Sequence, residues 1–132
     1  MKIADRVLAV LLIAGAAVTA FYWRSYFTGG DVMVLHERWY TAFESSFPVA
    51  DGWMAVCMAA AGIGLWSGKP WGARAGLLAG SALIYLAAMD ITFDFENAMY
   101  AHANDAMKFE IFINVTTLLL GAWTILASWR RA

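Results

Sequence analysis

Asp51, Asp90, Asp94 and Glu110 stand inside or at the edge of long apolar runs, where a carboxyl side chain needs a partner. At the centre of a membrane helix an acid costs about 2.5–3.5 kcal/mol, and less near the interface, so it is seldom placed there alone. Asp90 and Asp94 are four residues apart and stack on one helix face, where two negative charges repel unless a proton or a cation is shared. In a later run Glu110, Asn114 and Thr117 recur at spacings of four and three, a polar stripe down two helical turns. Asp51 lies about one turn into a third run. A helix N-terminus favours negative charge by about 0.3–1 kcal/mol, which accounts for Asp51 or Glu110 taken singly. It accounts neither for Asp90 and Asp94, near the C-terminal end of their run, nor for Asn114 deeper in. The expected site is therefore a carboxylate-rich pocket of Asp51, Asp90, Asp94, Glu110 and Asn114, with Glu44 and His36 contributed by a lid. Trp39, Trp53 or Phe93 would add cation–π contacts.

Other chemistries find less support. Neither His36 nor His102 belongs to a His-x-x-x-His or Glu-x-x-His motif, so a metal site would have to be assembled in space. Met54, Met58, Met89, Met99 and Met107 are scattered, which suits packing better than a soft copper site. Cys57 is the lone cysteine and lies in an apolar run, so neither an intrachain disulfide nor a thiolate metal cluster is available. Tyr22, Tyr26 and Tyr85 read as belt or core aromatics. No cofactor is legible in the sequence.

The elements that must position the acids are helices in lipid. Of the 132 residues, 62% are hydrophobic and only 14% charged, against about 45–50% and 25% in a soluble domain. The mean hydropathy is +0.62. Four stretches approach the roughly 20 residues that a crossing requires, and we expect an all-α, integral membrane four-helix bundle. It forms a single four-pass domain, 1–132, with helices about 7–27, 48–66, 73–98 and 106–129. The first stretch follows Lys2 and Arg6 as a signal peptide would, but its apolar character continues through Phe21-Tyr22-Trp23, and it is taken as a span. Between the first two spans Val32, Leu35, His36, Trp39, Tyr40 and Phe43 recur at helical spacing after Asp31. That pattern predicts an interfacial amphipathic helix in the first outer loop. The third helix is expected to run on beyond the membrane and turn near Asn104.

Lys2, Arg6, Lys69, Arg74, Arg130 and Arg131 fall on one side of this arrangement, and Arg24, Arg38 and Lys108 on the other. The positive-inside rule puts both termini in the cytoplasm of a multi-pass protein of the cell (inner) membrane. Of the acids only Asp5 is then cytoplasmic. A net charge of −1 speaks against nucleic acid as a partner. Gly62, Gly64, Gly76 and Gly80 allow close helix approach, within a compact bundle or in a homodimer.

The segment Glu44-Ser45-Ser46-Phe47-Pro48-Val49-Ala50-Asp51-Gly52-Trp53, followed by Asp90, Glu110 and Asn114, loosely resembles the pattern of the EXPERA proteins. The likeness is one of arrangement. It implies four membrane helices around a carboxylate-lined pocket for sterol-like amines, some members also isomerising sterols. The first span here carries neither acid nor histidine. Small multidrug exporters share the size and helix count but keep a glutamate in the first helix, where this chain has none.

Three functions follow as expectations. The first is binding, or transport, of a small cation or amphiphilic amine near the outer leaflet. The second is a membrane enzyme doing acid–base chemistry, isomerase- or hydratase-like, on a lipid or isoprenoid. It requires a pocket that opens to lipid. The third is an accessory subunit of a larger membrane complex.

Overall fold

A computed structural model describes residues 2–132 and is helical, with α1 (Ile3–Phe27), α2 (Arg38–Glu44), α3 (Pro48–Trp66), α4 (Pro70–Glu96) and α5 (Asp105–Trp129). Four helices are long and apolar enough to cross a membrane. Their boundaries follow from local chemistry. Pro48 and Pro70 open α3 and α4 at positions where a backbone N–H has no intrahelical partner to lose. The turn between these helices is closed by Gly68 at φ 64, with Gly68 N donating to Leu65 O at 3.2 Å and Lys69 N to Gly64 O at 2.8 Å. Those two bonds form a Schellman cap, which needs a left-handed residue at Gly68. Asn104 caps α5, its Oδ1 accepting from Met107 N at 2.8 Å.

The four long helices pack in chain order, α1 on α3, α3 on α4 and α4 on α5, whereas α1 and α5 touch at few points. Both termini lie at one end of the bundle, where Arg131 Nη1 pairs with Asp5 Oδ1 at 2.9 Å. The core nearest that end holds Leu8, Leu12, Ala61 and Ala79, all buried. At the α3–α4 crossing a Cβ on Gly72 would lie 2.4 Å from the backbone carbon of Gly64, so the two backbones meet directly. Gly72→Ala must push the helices apart. We expect a loss of about 1–3 kcal/mol, the usual cost of overpacking, measured as a lower thermal midpoint in detergent.

Two expected elements differ. The chain from Asp31 is helical only from Arg38. Val32 and Val34 are β-branched and lose side-chain freedom in a helix, and the irregular chain, bent at Val34, buries that side chain against Tyr40, Met99 and Met107. Asn104 Nδ2 holds Val34 O at 3.3 Å. The helix of Asp90 and Asp94 stops at Glu96, short of the expected extension, because Ala98 takes a left-handed conformation at φ 52 and starts the 3-10 turn Met99–Ala101. Neither glycine nor proline marks that turn.

Candidate functional site

Since α1 and α5 do not close on each other, a cavity of about 400 Å3 runs between them, with α3 and α4 as its floor. Its walls are mainly aliphatic and aromatic, and four carboxyl side chains, Glu44, Asp51, Asp90 and Glu110, line the end away from the termini. Glu44 is delivered by the last residue of α2, Asp51 by the first turn of α3, Asp90 by the last two turns of α4 and Glu110 by the second turn of α5.

Aromatic donors hold some of these acids. Trp23 Nε1 donates to Asp51 Oδ2 at 2.8 Å, and Tyr22 Oη donates to Glu44 Oε2 at 3.0 Å. Tyr40 Oη faces Glu110 Oε2 at a long 3.5 Å. Among the described residues no side chain hydrogen-bonds Asp90. The ion pairs among these residues are His36–Asp31, Lys108–Asp105 and Arg131–Asp5, so no basic side chain neutralises any acid of the cavity. Burying a charge without a partner costs several kcal/mol. Asp90 and Glu110, 9% and 8% exposed and without a close donor, bear that cost when ionised, whereas Glu44, 6% exposed, has the Tyr22 hydroxyl.

The remaining residues expected at the site lie elsewhere. Asp94 and Asn114 are buried behind the cavity wall, with Asn114 Nδ2 donating to Asp94 Oδ2 at 2.9 Å and to Tyr100 Oη at 3.1 Å. Asp94 Oδ1 and Asn114 Oδ1 have no hydrogen-bond partner. His36 is exposed on the irregular segment before α2, 3.1 Å from Asp31, and does not line the cavity. His102 is exposed as well. Trp39, Trp53 and Phe93 also lie outside it; Phe93 stacks on Phe43 with ring centroids 3.6 Å apart and thereby fastens α2 to α4.

Tyr22, Trp23 and Tyr40 are the residues that sequence reasoning passed over. The signal was present, since Tyr22-Trp23 stands at the same depth as Asp51, but a belt aromatic and a hydrogen-bond donor to an acid have the same sequence. Among the described residues no three His, Cys, Asp or Glu side chains group closely enough to hold a metal ion. No protein-family model, curated protein or solved structure matches the chain.

Proposed function

We propose that the chain is a four-pass membrane protein that binds an amphiphilic organic cation, its charged head among Glu44, Asp51, Asp90 and Glu110 and its apolar part along the cavity walls. One observation carries this reading: carboxyls from four elements line one apolar cavity, and among the described residues no basic side chain pairs with them. A bound ammonium would supply the missing charge, and Tyr22 and Trp23 would add ring faces at the same level. An organic cation suits the site better than a metal ion, which needs a tighter set of ligands. The basic residues at the terminal end support a cytoplasmic location for both termini and an outward-facing binding end. In that placement α2 lies at the outer interface, with Trp39 exposed and Tyr40 turned inward.

The test is thermal stabilisation of the purified chain in detergent. Hexadecylamine should raise the midpoint, and hexadecanoate and hexadecanol should not. A ligand at a hundredfold excess over its Kd contributes about 2.7 kcal/mol. The amine shift should shrink as the pH is lowered and the carboxyls take up protons, because a neutral acid no longer attracts an ammonium. Equal shifts from the alcohol and the amine would refute charge recognition.

A second reading has its own support. Asp51 is held by an indole N–H while Asp90 has no donor, and two acids in unlike surroundings suit an acid–base pair acting on a lipid or isoprenoid. Turnover of such a substrate, lost in Asp90→Asn with binding retained, would favour the enzyme.

A further inference from the structure

The long side of the cavity faces outward from the bundle. Its floor residues Met54, Met58 and Leu83 are buried, whereas rim residues Leu11 and Val18 of α1 and Phe112 and Leu119 of α5 are 42%, 46%, 59% and 65% exposed. These four apolar residues border an open seam between α1 and α5. Both ends of the seam are fastened. At the terminal end Arg131 of the α5 tail grips Asp5 of α1. At the other end the rings of Tyr22 and Phe109 stack with centroids 6.4 Å apart. Above the acids α2 forms a cover, with Tyr40 fully buried and Phe43 stacked on Phe93. The cavity is therefore roofed at the acids on the loop side and open along its flank below them.

The walls below the acids are mainly aliphatic, with the Trp123 indole toward the terminal end. Thr19, Thr116 and Thr117 also line the cavity, but their hydroxyls donate to Gly15 O at 2.9 Å, Phe112 O at 2.6 Å and Ile113 O at 2.7 Å, each within its own helix. From Leu11 to Tyr22 the lining of α1 extends about 16 Å at the helical rise of 1.5 Å per residue. That is about half of the roughly 30 Å hydrocarbon core of a bilayer, the depth of one leaflet. The volume of about 400 Å3 lies near the lower end of the roughly 300–1,000 Å3 range of small-molecule sites, room for one chain rather than two.

We infer that the α1–α5 seam is a lateral entrance from the bilayer and that its occupant is a single-chain, lipid-resident amine with an unsubstituted hydrocarbon tail. The tail lies along the seam over the depth of one leaflet and the ammonium sits among the four carboxyls. This rests on the amphiphilic-cation reading above and adds to it the route, the tail and its length. Charge complementarity selects this occupant over a helix of a second copy or of another protein, since an apolar helix in the seam would leave the four acids unpaired.

The experiment uses the full chain in detergent, with hexadecylamine and butylamine as probes. Val18→Trp and Thr116→Trp narrow the seam from its two sides. Both positions are exposed at the rim, so neither change disturbs the buried core. Each variant should weaken hexadecylamine about tenfold, a loss of about 1.4 kcal/mol, and leave butylamine within about twofold. In the unaltered protein the long amine should bind more tightly than the short one. Equal affinity for the two amines, or equal weakening of both by the tryptophans, would overturn the seam while leaving an amine site intact. Binding of neither amine would remove the amine site and the seam together. A disulfide between Leu119→Cys residues of two chains, formed in a Cys57→Ala background without amine and undisturbed by hexadecylamine, would assign the seam to a second copy and likewise overturn the inference.

Discussion

Glu110→Gln and Asp90→Asn should each make the ligand-free protein more heat-stable while weakening hexadecylamine at least about tenfold, a loss near 1.4 kcal/mol per substitution. The two effects have one cause. Among the described residues Asp90 has no hydrogen-bonding side chain beside it, Glu110 has only the distant Tyr40 hydroxyl, and neither has a cation. An uncompensated carboxylate held in an apolar wall destabilises the folded chain. The amide keeps the shape and removes the charge, so the empty protein gains stability. The same change removes the attraction that would hold an ammonium. We expect a rise of several degrees in the thermal midpoint, since about 1 kcal/mol shifts it by roughly 2–8 °C in domains of this size range. A structural role predicts the opposite sign, because an acid that ties helices together cannot be neutralised without loss. Circular dichroism melts with and without hexadecylamine read both quantities on one sample. Lower midpoints in both variants would count decisively against a ligand site.

Asp51 and Glu44 are set up differently, and the contrast carries meaning. Each accepts one aromatic donor from α1, the Trp23 indole and the Tyr22 hydroxyl. These bonds fix the direction of two carboxyls and cross the cavity from α1 to the elements opposite. Only the pair from α4 and α5 is left without a close donor. A ligand that reached the site along the α1–α5 seam would meet Glu110 on its own wall of the opening and Asp90 on the floor beside it. Sites commonly hold groups whose arrangement costs stability until the ligand arrives, and of the four acids that line the cavity these two fit that pattern best.

Much of this was legible in the sequence. The four long apolar helices follow from runs of apolar residues broken at Pro48, Gly68 and Pro70, and α3 runs from Pro48 to Trp66 as the apolar run suggests. The gathering of acids at one end also followed, because positions near the ends of consecutive antiparallel helices must share a depth. The cavity did not follow. Which helices touch depends on close contacts such as Gly64 on Gly72, which give no sign of whether α1 also meets α5. The split within the acids was hidden by helix geometry. Residues four apart differ by about 40° around the axis at 3.6 residues per turn. That angle is enough for Asp90 and Glu110 to line the cavity while Asp94 and Asn114, one turn further along, turn toward each other. The amphipathic pattern after Asp31 is helical only from Arg38, because its first part is an irregular stretch that bends at Val34 to bury that side chain before the short helix begins.

That turned-away pair makes the remaining prediction. Asp94 is 1% exposed and Asn114 3%, and the amide of Asn114 bridges Asp94 and the Tyr100 hydroxyl. Two of their oxygens, Asp94 Oδ1 and Asn114 Oδ1, are already unpartnered. Asn114→Leu removes the hydrogen-bond donor that Asp94 has and leaves its carboxyl buried among apolar groups, at a cost of about 3 kcal/mol. Asp94→Leu strands only the Asn114 amide, which still has Tyr100 as a partner, and should cost less, about 1–2 kcal/mol. The double variant Asp94→Leu with Asn114→Leu removes both polar groups at once. It should regain most of the loss, because two apolar side chains of suitable size at a buried helix contact need no partner. The coupling energy from a four-way cycle of denaturation midpoints measures this directly. A strong, favourable recovery identifies Asp94 and Asn114 as the joint that fastens the end of α4 to α5 behind the cavity, and hexadecylamine affinity should then change little in the double variant. Loss of amine binding with stability restored would instead move this pair into the site.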